Sequence, residues 1–134
     1  MSIWTHVAGI VRIDDVRFLG QTDWLAYFGK ECLFSDSSET WIDAEQHPDQ
    51  YLPMGSEGSL QSSIWINPDD HSLAAYTVMI FGDLRDYNTP EAILEWFKKK
   101  LEDVDISVRQ AVITIECEVM EPIVYNYRRD DNGI

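Results

Sequence analysis

Residues 59–81 read SLQSSIWINPDDHSLAAYTVMIF. Over Ser59 to Ile66, Leu60, Ile64 and Ile66 fall on one side of an extended chain. Ser59, Gln61, Ser63 and Trp65 fall on the other, as the two-residue period of a strand requires. Asn67-Pro68-Asp69-Asp70 ends the run with turn-forming residues. Leu73 to Phe81 is then apolar nearly throughout, the pattern of a central strand covered on both faces. A short polar connection between two such runs predicts a hairpin.

Upstream, Ile3 to Ile13 is rich in β-branched residues and predicts another strand. Ile3, Val7, Val11 and Ile13 share one side; Trp4, His6, Ala8, Ile10 and Arg12 share the other. Asp23 to Leu33 predicts a helix, with Trp24, Leu25, Phe28 and Cys32 at helical spacing and Thr22 or Asp23 as cap. Residues 35–58 form a long polar insertion with apolar anchors at Trp41, Ile42, Tyr51, Leu52 and Met54, within which Thr40 to Asp43 suggests a short strand.

Downstream, Thr89 is placed as a cap, Pro90 suits the first helical position and Glu91 complements the positive end of the dipole. Ile93, Phe97 and Leu101 then recur four apart, with Lys98, Lys99 and Lys100 in the last turns. Val108 to Val119 alternates as a strand, and Ile123 to Tyr127, after Pro122, suggests a further edge strand.

The succession is strand, helix, strand, strand, helix, strand. It predicts an α+β fold, a ferredoxin-like βαββαβ sandwich with a four-stranded antiparallel sheet and two helices on one face. One domain is expected over residues 1–127, with a frayed tail at 128–134. The sheet face away from the helices would carry Trp4, His6, Ile10, Arg12 and Trp65, together with Gln61, Val112, Thr114 and Glu116. Such a face is too apolar for water alone and too polar for a dry core. Trp4, His6, Ile10, Arg12 and Trp65 are therefore expected at a homo-oligomer interface, a dimer first, since isologous pairs are commonest. The alternative is that the insertion or the C-terminal segment folds over it.

Ten Lys and Arg against 24 Asp and Glu give a formal charge of −14. That field repels phosphates and anionic lipid, so no direct nucleic acid or membrane partner is expected, whereas a basic protein partner is compatible. Cys32 and Cys117 lie far apart and fit reduced cytosolic thiols. The N-terminus has no basic leader, and no apolar run reaches spanning length. A cytoplasmic location is expected.

Motifs that carry chemistry are sparse. Gly55-Ser56-Glu57-Gly58 has the GXXG spacing of a nucleotide-clamping loop but lacks a neighbouring cation, so it reads as a turn. Asp43, Glu45 and His47, and again Asp69, Asp70 and His71, are acidic clusters in turn-like sequence. No metal or cofactor is expected from them, and no catalytic residue is assigned. His6 with Glu116 is the one acid–base arrangement on the face, and a packed histidine is the simpler reading. Gly82 to Tyr87, GDLRDY, is the most site-like stretch. There Asp83, Arg85 and Asp86 would form an ion-pair network, while Arg85, Asp83 and Tyr87, with Glu57, are the ligand-binding candidates.

WTHVAGIVRID at 4–14, LPMGSEGSLQ at 52–61 and FGDLRDY at 81–87 resemble stretches of small uncharacterised phage- and prophage-encoded proteins. The resemblance runs over most of the chain. It implies a bacterial or phage cytoplasmic setting and nothing about chemistry. Function is expected to be a non-enzymatic binding or assembly module that self-associates through its open sheet face. An acidic decoy for a basic protein, and a small-molecule binder or enzyme with a pocket near residues 35–58, are the alternatives.

Overall fold

The computed structural model describes residues 2–16, 22–67, 73–105 and 107–129. Its centre is an antiparallel five-stranded sheet ordered β4-β5-β1-β6-β7. The strands are β1 (Trp4–Val16), β4 (Gln61–Ile66), β5 (Leu73–Arg85), β6 (Val108–Cys117) and β7 (Ile123–Arg128). A second, two-stranded ribbon pairs β2 (Met54–Gly55) with β3 (Gly58–Ser59). The helices among the described residues are α1 (Trp24–Phe28), α2 (Ser38–Gln46) and α3 (Pro90–Glu102), with a 3-10 turn at Pro48–Gln50.

The ferredoxin-like βαββαβ sandwich of four strands and two helices is thereby corrected. The chain is mostly β: the main sheet has five strands, and the insertion contributes a helix and a ribbon of its own. Ile123–Arg128, with Arg128 inside it, pairs along β6 from Ile115↔Ile123 to Gln110↔Arg128. Residues 130–134 of the expected tail lie outside the described residues.

One sheet face is buried. Val7, Val11 and Ile13 of β1, Val78, Ile80 and Leu84 of β5, and Ala111, Ile113 and Ile115 of β6 pack against Trp24 and Phe28 of α1 and Ile93, Phe97 and Leu101 of α3. The α3 stripe stands as its four-residue spacing predicts, with Pro90 at the first position. α1 is shorter than expected. Asp23 caps it, its Oδ1 accepting from the Ala26 N–H at 3.1 Å. The helix stops at Gly29, whose φ of +143° leaves the helical region. Lys30 is then drawn into extended pairing beside Tyr51: its N–H donates to the Gln50 carbonyl, and its carbonyl accepts from the Leu52 N–H, both at 2.9 Å.

Thr40 to Asp43 is helical, not a strand, because Ser37 caps α2 by accepting from the Thr40 N–H. The α2 segment builds a small core of its own from Cys32, Ala44 and Tyr51, flanked by Trp41 and Met54. Gly55 to Gly58 is the turn of the β2–β3 ribbon, as read. Asp69, Asp70 and His71 lie outside the described residues.

Candidate functional site

Among the described residues no element covers the second face of the sheet. Pairing between strands arranges its side chains in rungs. At one end Trp4 lies opposite Arg85. The next rung is Asp83, His6 and Glu116. Then come two apolar rungs: Gln61, Phe81, Ala8, Thr114 and Val124, followed by Ser63, Met79, Ile10, Val112 and Asn126. The fifth rung is Trp65, Thr77, Arg12, Gln110 and Arg128. A bulge between Arg12 and Ile13 closes the pattern, and beyond it Arg109 reaches Asp14 at 3.2 Å.

The apolar rungs are solvated. Ile10 is 45% exposed, Phe81 38% and Val124 61%, and Trp65 of the adjoining fifth rung is 51% exposed. At their centre lies a shallow, almost wholly apolar hollow of about 320 Å³ between Ala8, Ile10, Met79, Phe81, Val112 and Thr114. The insertion does not cover the face, since it is spent on the Cys32 cluster and on the ribbon beside Arg85. Ile123–Arg128 does not cover it either, since it extends the sheet edgewise as β7.

The expected face residues are therefore together on one surface, with two adjustments. Trp4 sits at the end of the face, beyond the charged rung, its backbone N–H donating to Glu118 Oε1 at 2.8 Å. Trp65 is at the opposite end and on the outer strand. The apolar centre is supplied instead by Ile10 with Phe81, Met79, Val112 and Val124. Phe81 and Met79 escaped sequence reading because LAAYTVMIF is apolar at both parities and so marks neither face as open.

His6 Nδ1 donates to Asp83 Oδ1 at 2.6 Å. That bond raises the imidazole pKa above its ordinary value; partial burial opposes the shift, and the charges of Asp83, Glu118 and Glu116 add to it. His6 is thus oriented along its own sheet rather than toward a substrate cavity. The ion-pair network expected within GDLRDY is replaced by bonds to other elements. Arg85 Nη1 donates to Glu57 Oε1 at 2.5 Å and its Nε to Ser2 Oγ at 2.9 Å, while Asp86 Oδ2 accepts from Ser56 Oγ at 2.7 Å. Tyr87 is half-buried against the core, and desolvation raises its pKa. Of Glu57, Arg85, Asp83 and Tyr87, only Glu57 and Asp83 line one shallow depression; Arg85 is paired with Glu57, and Tyr87 packs against the core.

Two other depressions are present. One of about 460 Å³ lies between Phe34, Glu57, Gly58, Gln61 and Asp83. Another, of about 650 Å³, runs between α3 and β7 and is lined by Glu95, Lys98, Glu102 and Tyr125. Among the described residues no group of three His, Cys, Asp or Glu side chains is placed to hold a metal ion. Asp43 of the acidic 43–47 run accepts instead from the Tyr51 hydroxyl at 2.6 Å. Cys32 and Cys117 are free and buried, and burial raises the Cys32 thiol pKa. No helix of the described residues is long and apolar enough to cross a membrane.

Compared with family models, with curated proteins and with solved structures, the chain matches none. Function therefore rests on the geometry of this chain.

Proposed function

We propose that this chain is a non-enzymatic assembly module of a bacterial or phage cytoplasm, and that a second copy of it covers the open sheet face. The observation that carries the reading is the pair of solvated apolar rungs centred on Ile10, Met79, Phe81 and Val112, bounded at both ends by charged rungs. An apolar core within a polar rim is the anatomy of a protein interface. All five strands run together from about Ala8 to Arg12, and β5, β1 and β6 continue to Trp4; at about 4.8 Å between strands and about 3.3 Å per residue this outlines roughly 600 Å². A stable interface takes about 800 Å² from each partner, so the face is close to the size a dimer needs.

The decoy reading asks for carboxylates gathered on one surface. The exposed ones among the described residues are spread over α2, α3, the turn after β6, the loops around α1 and the Asp83–Glu116 rung of the sheet, with no single surface gathering them. The small-molecule reading is weakened by the mutual neutralisation of Arg85 and Glu57.

Sedimentation of the purified chain tests the proposal. The wild-type protein should run at twice 15.5 kDa. Ile10→Glu, at an exposed position, should give folded monomers with an unchanged circular dichroism spectrum. Wild-type monomers at tens of micromolar, or a dimer indifferent to Ile10→Glu, would remove the reading.

A further inference from the structure

Accepting that self-association, we infer how the two copies are related: the two-fold axis runs across the strands and passes over Gly9, so that the carboxylate rung of each copy lies on the arginine rung of the other. In the aligned class of sheet packing, strands of the two sheets run within about 30° of each other. A two-fold between such faces therefore lies either along the strands or across them. The charge pattern chooses between these.

On β1 the acidic and basic rungs are six residues apart, from His6 to Arg12, or about 20 Å. Midway between them is Gly9. An axis across the strands at this point exchanges the rungs end for end. Arg12 then lies over His6 of the second copy, between its Asp83 and Glu116, and Glu116 lies over Gln110, flanked by Arg12 and Arg128. The same operation sets Ile10 over the second copy's Ala8, a large side chain over a small one, at the apolar hollow. Phe81 meets Met79 and Thr114 meets Val112, so bulk complements bulk along the seam.

An axis along the strands does the opposite. It sets each rung on the same rung of the second copy. Arg12 would then face Arg12, and Glu116 would face Asp83, both like-charge contacts between the copies. Like charges directly opposed cost free energy and exclude that register.

The test is a charge exchange read by sedimentation equilibrium. Glu116→Arg makes the acidic chain less charged, so general repulsion between copies falls. An axis along the strands also predicts a tighter dimer, because the new arginine would face Asp83. The crossed arrangement predicts the reverse, at least a tenfold weaker dimer, since the new arginine lands between two others. Arg12→Glu should weaken the dimer more than Lys99→Glu, which makes the same change of charge on exposed α3. The double variant Arg12→Glu with Glu116→Arg should recover to within a few-fold of wild type.

A dimer that dissociates with Ile10→Glu but tightens with Glu116→Arg, or shows no recovery in the double variant, overturns the crossed arrangement alone. A wild-type monomer overturns it together with the reading on which it rests.

Discussion

His6 and Asp83 face each other across the β1–β5 ladder, with Nδ1 and Oδ1 2.6 Å apart, on the sheet face that the described helices leave uncovered. The bond is local, yet it has a consequence across the pH range. It raises the histidine pKa, so its stabilisation is full below the ordinary value of 6.5 and is lost as pH rises through the raised folded value. The imidazole resonances should titrate above 6.5 in the wild-type protein. In Asp83→Asn the midpoint should fall, and the stability difference between the two proteins should shrink as pH rises. A midpoint unmoved by Asp83→Asn would show that the bond is not made in solution.

Ser59 joins the insertion to the sheet from within. Its Oγ accepts from the Cys32 N–H at 2.9 Å and donates to the Leu60 carbonyl at 2.7 Å, both buried. Ser59→Ala keeps the volume but strands a buried donor and acceptor. Urea unfolding should register a loss of about 1–3 kcal/mol. A loss below about 0.5 kcal/mol would mean that water replaces the hydroxyl.

Gly29 ends α1 at φ +143° and ψ 161°, a conformation essentially confined to glycine. A Cβ there would stand 2.7 Å from the Leu52 backbone nitrogen. Gly29→Ala should therefore cost about 1–3 kcal/mol from backbone strain, before the clash with Leu52 is relieved. Thermal melting should show the loss, while Ala26→Gly, at an exposed site in the same helix, should cost about 1 kcal/mol or less.

Phe97 anchors α3 to the buried face, fully enclosed and edge-on to Tyr125 with ring centroids 6.3 Å apart. Phe97→Ala should destabilise by about 3–5 kcal/mol. Trp65→Ala, on the open face, should leave a dilute monomer within about 0.5 kcal/mol of wild type. Equal losses at the two sites would contradict the assignment of buried and open faces.

Tyr51 donates its hydroxyl to Asp43, and that bond pushes the phenol pKa up to about 12. Ultraviolet titration should show one tyrosine ionising late. Asp43→Asn should bring its midpoint down toward the ordinary value near 10. Retention of the late titration in Asp43→Asn would place its cause elsewhere.

Local rules were enough for much of this protein. The β4–β5 hairpin, the alternation of β1 and β6, the edge strand after Pro122 and the Ile93-Phe97-Leu101 stripe are all legible as periods in the chain, because each follows from which face of a strand or helix meets water. The side of β1 that carries His6, Ile10 and Arg12 was legible for the same reason. The extent of the sheet and the shape of the insertion were not. Thr40 to Asp43 became helix through a cap at Ser37, and α1 stopped at a glycine whose neighbour Leu52 leaves no room for a Cβ.

The apolar centre of the face also waited for the tertiary structure. A β5 sequence apolar at both parities carries no sign of which side is left uncovered. Only the placement of α1 and α3 on one side exposes Phe81 and Met79 on the other. The order of residues thus determined the elements and their periodicities, which depend on neighbours along the chain. The pairing of strands and the one-sided packing of helices decided the surface, because rungs such as Glu116 with His6 and Arg12 with Gln110 join residues about a hundred positions apart.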